Sequence, residues 1–403
     1  MTAPKTRYFD SNATTSVAPE VLQSMLPYFT ENWGNPSSPY RLGKKLVEPI
    51  ELARESAAAL IGADSSEVIF TSCGTESINT AITSCLYSQP AKKHIVTTAV
   101  EHSATKNSCA ALAGRGYAVT YLPVNRDGSL DLGLFEASLR PDTAVVSIMW
   151  ANNETGVLFP IAQIAAICRK RKILVHTDAV QIPGKLTIDV NELGVDLLSL
   201  SAHKFHGPKG VGLLYVRKGT PFWPLIIGGH QEEGNRGGTE NVPYIVAFGR
   251  AAELARAIST QSRQKLAALR DSLENEIFSK IPGTSRNGAR EPRLPNTTSI
   301  SFTGVDAEAL LMMFDQLGIC ASSGSACTTG SVAPSHVLTA MQLNPTEARS
   351  TIRFSLDYET TPEDVAFLMS HLPRLITELR SAASPRTAAR LTSSKPALAA
   401  QAM

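Results

Sequence analysis

Short apolar runs alternate with segments of helical periodicity between about residues 68 and 216. In one such segment, Ile161, Ile164, Ala165 and Cys168 repeat at the i, i+3, i+4, i+7 spacing of a single helical face. Strands and helices that alternate at this spacing predict an α/β architecture with a mostly parallel sheet between helices. The predicted strands are 68–71, 94–99, 118–124, 144–150, 173–177, 197–202 and 211–216, with helices at 75–88, 103–113 and from 160 onward.

After about Pro243 the pattern changes. A long helical region runs to about Lys280, and the Pro- and Gly-containing loop 282–295 shows no strand pattern. The remainder predicts strands at 298–302 and 351–356 and helices at 306–317 and 362–380, which indicates a smaller α+β domain. We predict a large domain over 15–257, a small domain formed by 1–14 and 258–380, and a disordered tail over 381–403.

Composition and charge exclude several classes of protein. The chain is 43% hydrophobic with a net charge of +2, so it has no basic domain of the kind that nucleic-acid binders show. The N-terminal residues lack the apolar core of a signal peptide, and no apolar run approaches the roughly 20 residues of a membrane span. The presence of six cysteines in a chain this long suits a reducing compartment. None of them forms a Cys-x-x-Cys pair, which argues against a zinc site. We therefore predict a cytoplasmic protein with no membrane or nucleic-acid partner and no resident metal.

Polar residues follow the predicted strands, where ligands bind in parallel sheets. Lys204 ends Ser201-Ala202-His203-Lys204, directly after a strand, and a lysine there can form a Schiff base with pyridoxal phosphate. Asp178 ends another strand and can pair with the pyridinium nitrogen, while Gln181 can bond the ring hydroxyl. An ordinary surface lysine and a helix N-cap aspartate remain the alternatives.

Two further strand ends carry candidate cofactor contacts. Gly74 and Thr75 begin a helix after a strand, so their N–H groups can bind a phosphate; a capping box is the alternative. His102 can stack on a ring and shuttle protons, or be structural. The joint order of Gly-Thr turn, histidine, Asn152-Asn153, Asp-x-x-Gln and Ser-x-His-Lys matches the large domain of fold-type I pyridoxal phosphate enzymes.

The second part of the chain offers a thiol and a guanidinium. Cys327 lies among small uncharged residues at 322–331, where a thiol can carry a group to a partner; an inert cysteine is the alternative. The other five cysteines, in helical or strand patterns, are predicted to be packing residues. Arg353 lies inside a predicted strand and suits either a substrate carboxylate or an interdomain ion pair.

Together these residues resemble the class I cysteine desulfurases over about residues 7–380. The matching segments include Trp150-Ala151-Asn152-Asn153-Glu154-Thr155-Gly156 and Ser335-His336-Val337. Two segments, 149–156 and 228–232, look most like the nitrogen-fixation type. The other matches are 8–15, 34–38, 100–102, 237–241 and 322–327.

The resemblance implies that this fold-type I enzyme carries pyridoxal phosphate on Lys204. L-cysteine would become L-alanine while Cys327 accepts the sulfur as a persulfide and donates it to an iron–sulfur scaffold; Cys327 could also be a transient cluster ligand. Thr239 would reach the phosphate of a neighbouring subunit, which implies a homodimer. Further implied contacts are Gly74, Thr75, Ser201 and His203 for the phosphate, Asp178, Gln181, His102 and Asn153 for the rest of the cofactor, and Asn153, Arg353 and Asn35 for the substrate.

One segment departs from the family pattern. Glu232-Glu233 stands where relatives commonly carry a basic residue, and negative charge near a phosphate is unfavourable. The rival interpretations are a selenocysteine lyase, an aminotransferase with no use for Cys327, and a non-catalytic iron–sulfur carrier.

Overall fold

The computed structural model describes residues 5–323 and 334–382. The strands are β1 (Arg7–Tyr8), β2 (Val68–Thr71), β3 (His94–Thr98), β4 (Ala118–Leu122), β5 (Thr143–Ser147), β6 (Leu174–Asp178), β7 (Leu197–Ser201), β8 (Gly212–Val216), β9 (Thr284–Arg286), β10 (Thr297–Phe302), β11 (Ile319–Cys320) and β12 (Thr351–Ser355). The helices are α1 (Pro19–Met25), α2 (Pro27–Thr30), α3 (Arg41–Lys44), α4 (Val47–Ile61), α5 (Gly74–Tyr87), α6 (Ser103–Ala113), α7 (Leu132–Ser138), α8 (Ile161–Lys170), α9 (Val190–Leu193), α10 (Val242–Ala257), α11 (Thr260–Lys280), α12 (Ala307–Gln316), α13 (His336–Ala340), α14 (Pro345–Arg349) and α15 (Pro362–Ala382).

The largest sheet has seven strands in the order β2-β8-β7-β6-β5-β3-β4. The strands from β7 to β4 pair in parallel, while β8 pairs antiparallel with both β7 and β2. Every residue of β3, β5 and β7 is buried, as expected for strands covered by helices on both faces. The predicted mostly parallel α/β sheet is confirmed.

A separate apolar cluster joins the N-terminal segment to the C-terminal part of the chain. Phe9 packs there with residues of α11, β10, β12 and α15, including Leu273, Phe302, Phe354 and Leu372. Strands β12, β10 and β9 form a three-stranded antiparallel sheet, and β1 pairs with β11 in parallel. The prediction that loop 282–295 contains no strand is wrong at β9, because this partly exposed edge strand of polar residues has no apolar alternation.

Two observations concern the segments predicted as small domain and tail. Val337, Leu338 and Met341, from the range assigned to the small domain, pack in the same apolar cluster as the seven-stranded sheet. Helix α15 ends at Ala382, so the prediction of disorder is wrong for Ser381 and Ala382; residues 383–403 lie outside the described part. Within the described ranges, no helix is long and apolar enough to cross a membrane.

Candidate active site

The carboxyl ends of β6 and β7 open onto a cavity of about 330 Å³. Asp178 is the last residue of β6 and Ser201 the last of β7, and a single helical turn after β7 carries Lys204. Parallel strands place their carboxyl ends at one edge of a sheet, so residues distant in sequence meet there. The predicted site residues that line the cavity are Gly74, Thr75, His102, Asn153, Asp178, Gln181, Ser201, His203, Lys204 and Arg353.

The N-terminal segment closes one side of the cavity. Lys204 Nζ donates to the carbonyl oxygens of Asn12 and Ala13, each at 2.7 Å. Gln181 Nε2 also donates to the Asn12 carbonyl, at 3.0 Å. The sequence prediction assigned no role to Asn12 or Ala13, although both lie in a segment that matched the family. Their contribution comes from the backbone, and side-chain chemistry gives no signal for it.

Cys73, one of the predicted packing residues, is partly buried and also lines the cavity. It occupies the N-cap position of α5, where its side chain makes no capping hydrogen bond. The first-turn residue Glu76 instead accepts from Ser72 N at 2.7 Å and pairs with Arg236 at 2.9 Å. The capping-box alternative is therefore not found, and the α5 N-terminus keeps the character of an anion site.

Asp178 is a buried carboxyl group in this cavity. Burial raises its pKa above the usual value, while His102, the Val180 N–H and Lys204 favour the ionised form. Its Oδ1 accepts from Val180 N at 2.9 Å, and the chain continues into a turn and not into a helix. The N-cap alternative for Asp178 is therefore wrong, and the carboxylate is held at the cavity by the turn.

The two cavity histidines are fixed by their neighbours. His102 is the N-cap of α6, and its Nδ1 accepts from Ala104 N at 3.2 Å, so a neutral ring carries its proton on Nε2. His203 Nδ1 lies 3.1 Å from Thr14 Oγ1. Burial, with Lys204 adding to it, lowers the pKa of His203 to about 4, so this ring is neutral at physiological pH. His102 therefore caps a helix and also lines the cavity, and its contact with a cofactor ring stays a prediction.

Arg353 forms an ion pair, but its partner Asp10 belongs to the same predicted small domain, so the pair is not the interdomain one that was the alternative. Arg353 is 2% exposed, its Nη2 bonds Asp10 Oδ1 at 2.6 Å, and its Nη1 donates to the Asn153 carbonyl at 2.9 Å. Its Nε is buried and has no hydrogen-bond partner among residues 5–323 and 334–382. Arg353 also lines the cavity, and its ion pair with Asp10 orients the guanidinium there.

Not every predicted site residue reaches this cavity. In the single chain, Asn35 is exposed, with its Oδ1 accepting from Ser37 N, and Thr239 lines a separate cavity with Arg236. Neither residue lines the Lys204 cavity of its own chain. Cys327 lies outside the described residues.

The departure at Glu232 has a structural explanation. Both carboxylate oxygens are bound by Arg54, at 2.6 and 3.1 Å, and one also accepts from Phe70 N at 2.9 Å. The carboxylate is thus neutralised beside β2 and does not line the Lys204 cavity. The charge is thus kept from the Lys204 cavity, although Glu232 lines the separate cavity that contains Thr239.

Comparison with known proteins agrees with this site. The model of a protein family described as aminotransferase class-V matches residues 7–368. The chain belongs to this class-V family. A cysteine desulfurase of Trichormus azollae is 50% identical to it over 374 residues, covering 93% of this chain and 94% of that relative. The cysteine desulfurase NifS of Azotobacter vinelandii is 48% identical over 375 residues, covering 93% of each chain. The predicted resemblance to cysteine desulfurases is confirmed.

Solved structures support the same assignment. A protein described as NifS-like superposes with a TM-score of 0.86 at 38% identity, covering 93% of the class-V chain and all of its own. A structure described as SspA in complex with cysteine superposes with a TM-score of 0.78, also at 38% identity, covering 88% of the chain and 100% of its own. The fold-type I architecture predicted for this enzyme is thereby confirmed.

The class-V chain carries a second buried acid near the cavity, which the sequence prediction did not single out. Glu154 follows the cavity residue Asn153 and accepts from Ser335 Oγ at 2.6 Å. Ser335 also caps α13 through its hydroxyl. Burial raises the pKa of Glu154 to about 7, against favourable contributions from Ser335, Arg353 and His102. This acid therefore titrates in the physiological range.

We expect Glu154→Gln to remove one source of pH-dependent stability. The folded-state pKa of about 7 lies above the ordinary 4.5, so its contribution to stability is full below about pH 4.5. It is lost as the pH rises from about 4.5 through 7, at a cost of roughly 3 kcal/mol for a pKa difference of about 2.5 units. Denaturant unfolding between pH 4.5 and 8.5 should show that the free energy of unfolding of the variant, relative to that of the wild type, rises by this amount at high pH.

An exposed acid provides the matched control for this titration. Glu192→Gln on α9 removes a carboxylate of the same kind from the surface and should leave the pH profile unchanged. If Glu154→Gln and wild type lose stability in parallel from pH 4.5 to 8.5, the folded Glu154 titrates like a solvated acid and this interpretation is wrong.

Proposed function

We propose that this chain binds pyridoxal phosphate on Lys204 and converts L-cysteine to L-alanine, with Cys327 as sulfur acceptor. The observation that carries the proposal is the convergence of Lys204, Asp178, Gln181 and Arg353 on one cavity. An amine, an acid for a ring nitrogen, an amide and a carboxylate-binding guanidinium are the groups that an amino-acid substrate on this cofactor requires.

The residues present fit the cofactor. The N-terminus of the 14-residue helix α5 has no side-chain cap, and Gly74, Thr75, Ser201 and His203 surround that edge of the cavity, as a phosphate requires. Asp178 would pair with the ring nitrogen, Gln181 with the ring hydroxyl, and His102 would lie against the ring. The cofactor supplies an electron sink at the substrate α-carbon when bound.

The chain's own groups account for substrate orientation and proton movement. Arg353 and Asn153 would hold the carboxylate of L-cysteine, since both residues line the cavity and Arg353 Nη1 is fixed on the Asn153 carbonyl. Lys204 Nζ, positioned by the Asn12 and Ala13 carbonyls, would move the α-proton.

The transfer of sulfur from L-cysteine to Cys327 balances without an added oxidant. The carbon–sulfur bond of L-cysteine breaks, a sulfur–sulfur bond forms on Cys327, and the protons of both thiols are kept between the persulfide and L-alanine. Release of the sulfur as sulfide then requires a thiol reductant, whereas transfer to another thiolate does not. The sulfur therefore stays in a form that a partner protein can accept.

We infer that the active unit is a homodimer with shared sites. Thr239 and Asn35 lie outside the Lys204 cavity of their own chain, so a second copy is the source from which they would reach a site. The segments around them are neighbours, because Pro36 and Ser37 line one cavity with His230 and Asn235. These segments and their flanks expose large apolar side chains, as a subunit interface does: Phe29, Trp33, Tyr40, Trp223 and Ile227.

We propose an iron–sulfur scaffold as the sulfur acceptor, in keeping with the similarity to the Azotobacter NifS protein. The proposal includes two sequence-based expectations, a role in nitrogen fixation and a cytoplasmic location. The acceptor itself would be recognised by its thiolates, the groups that take sulfane sulfur from a persulfide.

The test is the product balance from L-cysteine. Cofactor-loaded protein incubated with L-cysteine and dithiothreitol should release alanine and sulfide in equal amounts. D-cysteine is the matched control, since it offers the same thiol with inverted α-carbon geometry. Pyruvate and ammonia in place of alanine would contradict the proposal and favour a lyase that eliminates sulfide, whereas 3-mercaptopyruvate without sulfide would favour a transaminase. A much faster reaction with L-selenocysteine than with L-cysteine would favour a selenocysteine lyase.

A further inference from the structure

Lys185 is a buried lysine that does not line the cavity of Asp178 and His102 but lines an adjoining cavity together with Lys204. It is 6% exposed, and its Nζ donates to Gln181 Oε1 at 3.0 Å. A tight turn brings it back to Gln181, since Lys185 N bonds the Ile182 carbonyl at 2.9 Å and Gly184 takes φ +77°. The motif Gln181 to Lys185 therefore returns an ammonium group to a cavity amide.

While Lys185 is charged, the amide of Gln181 has one favoured orientation between its two neighbours. Its Nε2 lies 3.0 Å from the Asn12 carbonyl, which accepts but cannot donate. Its Oε1 lies 3.0 Å from Lys185 Nζ, which in its charged form donates but cannot accept. Turning the amide over would face carbonyl with carbonyl and amine with amine. One N–H of Nε2 is used by Asn12, and the other remains for the cavity that Gln181 lines.

Lys185 does not neutralise a buried carboxylate beside the site. Within 5–323 and 334–382, it forms no ion pair with a carboxylate at the 4.0 Å limit. Burial lowers its pKa to about 7, the positive charges of Lys204 and Arg353 add to this, and Asp357 opposes it. Asp357 is itself bonded to His206 at 3.1 Å. Because a buried lysine without a counter-ion costs stability, its contact with Gln181 needs another explanation.

We propose that Lys185 is a positioning residue that fixes the Gln181 amide so that it presents an N–H, and not its carbonyl oxygen, to the cofactor. The inference rests on the proposed function. The resulting donor stabilises an anionic ring oxygen, which lowers the affinity of that oxygen and the adjoining lysine nitrogen for their shared proton. Removing Lys185 leaves Oε1 buried without its donor and loosens the amide.

A spectrophotometric pH titration of the bound cofactor tests this role. The absorbance band at about 420 nm of cofactor on Lys204 should change with pH in wild type, Lys185→Met and Gln181→Ala. Loss of a hydrogen bond of ordinary strength should move the midpoint upward by about 0.5–1 pH unit in Lys185→Met. Gln181→Ala should move it in the same direction, and Lys185→Arg should restore most of the wild-type value.

The double variant separates positioning from a direct effect of the charge. If Lys185 acts through Gln181, Lys185→Met should add no shift on the Gln181→Ala background. An equal shift on both backgrounds would show that the ammonium acts through space, and an unchanged midpoint in Lys185→Met would show that it does not act; either result overturns the proposal. The matched control is Tyr358→Phe, which removes the hydroxyl bonded to the Gly184 carbonyl at 2.7 Å and should leave the midpoint unchanged.

The experiment distinguishes failure of the positioning role of Lys185 from failure of the proposed function. If the wild type develops no cofactor band, the assignment of Lys204 fails first. If it develops the band and releases alanine and sulfide, but the Lys185 variants titrate as the wild type does, only the positioning role is lost. Lys185→Met removes an uncompensated buried charge, so the variant should fold at least as stably as wild type, and thermal unfolding checks this.

Discussion

Lys204→Ala is expected to abolish alanine formation and the absorbance of lysine-bound cofactor together. The side chain supplies both the covalent attachment and the amine that moves the α-proton, and loss of a positioned acid–base group alone costs about 10²–10⁴-fold in rate. Spectra after incubation with pyridoxal phosphate and gel filtration, followed by alanine assay, measure both effects. Lys209→Ala, an exposed lysine of the same loop, is the matched control and should keep both.

The same variant tests the shared dimer sites. A mixture of Lys204→Ala and Thr239→Ala chains, refolded or coexpressed, contains dimers in which one site has both Lys204 and the partner's Thr239. Activity should therefore exceed the sum of the two separate variants. If the mixture gives only that sum, Thr239 does not act across an interface. Wild-type alanine formation by the Lys204→Ala chain alone would contradict the assignment of Lys204.

Cys327→Ala is expected to block sulfur transfer while leaving cofactor binding intact. Without a thiol to attack the substrate sulfur, release of alanine should fall by roughly 10³-fold or more, as when other enzymes lose their nucleophile. Alanine release and the cofactor spectrum after mixing with L-cysteine provide the two measurements. A substrate-induced change in the spectrum should persist, because its early steps precede the attack by the thiol.

Cys73 provides the control variant for the Cys327→Ala experiment. Its thiol lines the Lys204 cavity, so it is the alternative acceptor that the structure offers. Cys73→Ala should retain near-normal alanine and sulfide release if Cys327 is the nucleophile. The reverse result, an inactive Cys73→Ala and an active Cys327→Ala, would transfer the role to the residue at the N-cap of α5.

Periodicity was sufficient to predict most of the elements around the site. The predicted helix 103–113 coincides with α6, and the predicted strand 197–202 with β7 to within one residue. Buried parallel strands are continuous apolar runs, so the pattern identifies them without knowledge of their partners. Strand β9 was missed because its three polar residues pair at an edge, where burial imposes no alternation.

The sequence also indicated the chemistry of individual side chains, but it did not predict which groups they contact. Asp178 and Lys204 stand at strand ends in the sequence, which already predicts that they meet. That Lys204 Nζ bonds the carbonyls of Asn12 and Ala13 was not predictable, because backbone carbonyls occur at every position and only folding selects two of them. The contact of Lys185 with Gln181 depends in the same way on a turn.

The sequence by itself determined the α/β architecture, the order of strand-end residues and their resemblance to cysteine desulfurases, since these depend on local pattern and side-chain chemistry. Only the tertiary structure decided which alternatives hold: that α5 has no side-chain cap, that Arg353 is at once ion-paired and at the cavity, and that Arg54 neutralises Glu232. These outcomes depend on distances between residues far apart in the chain, which packing sets and a linear pattern does not encode.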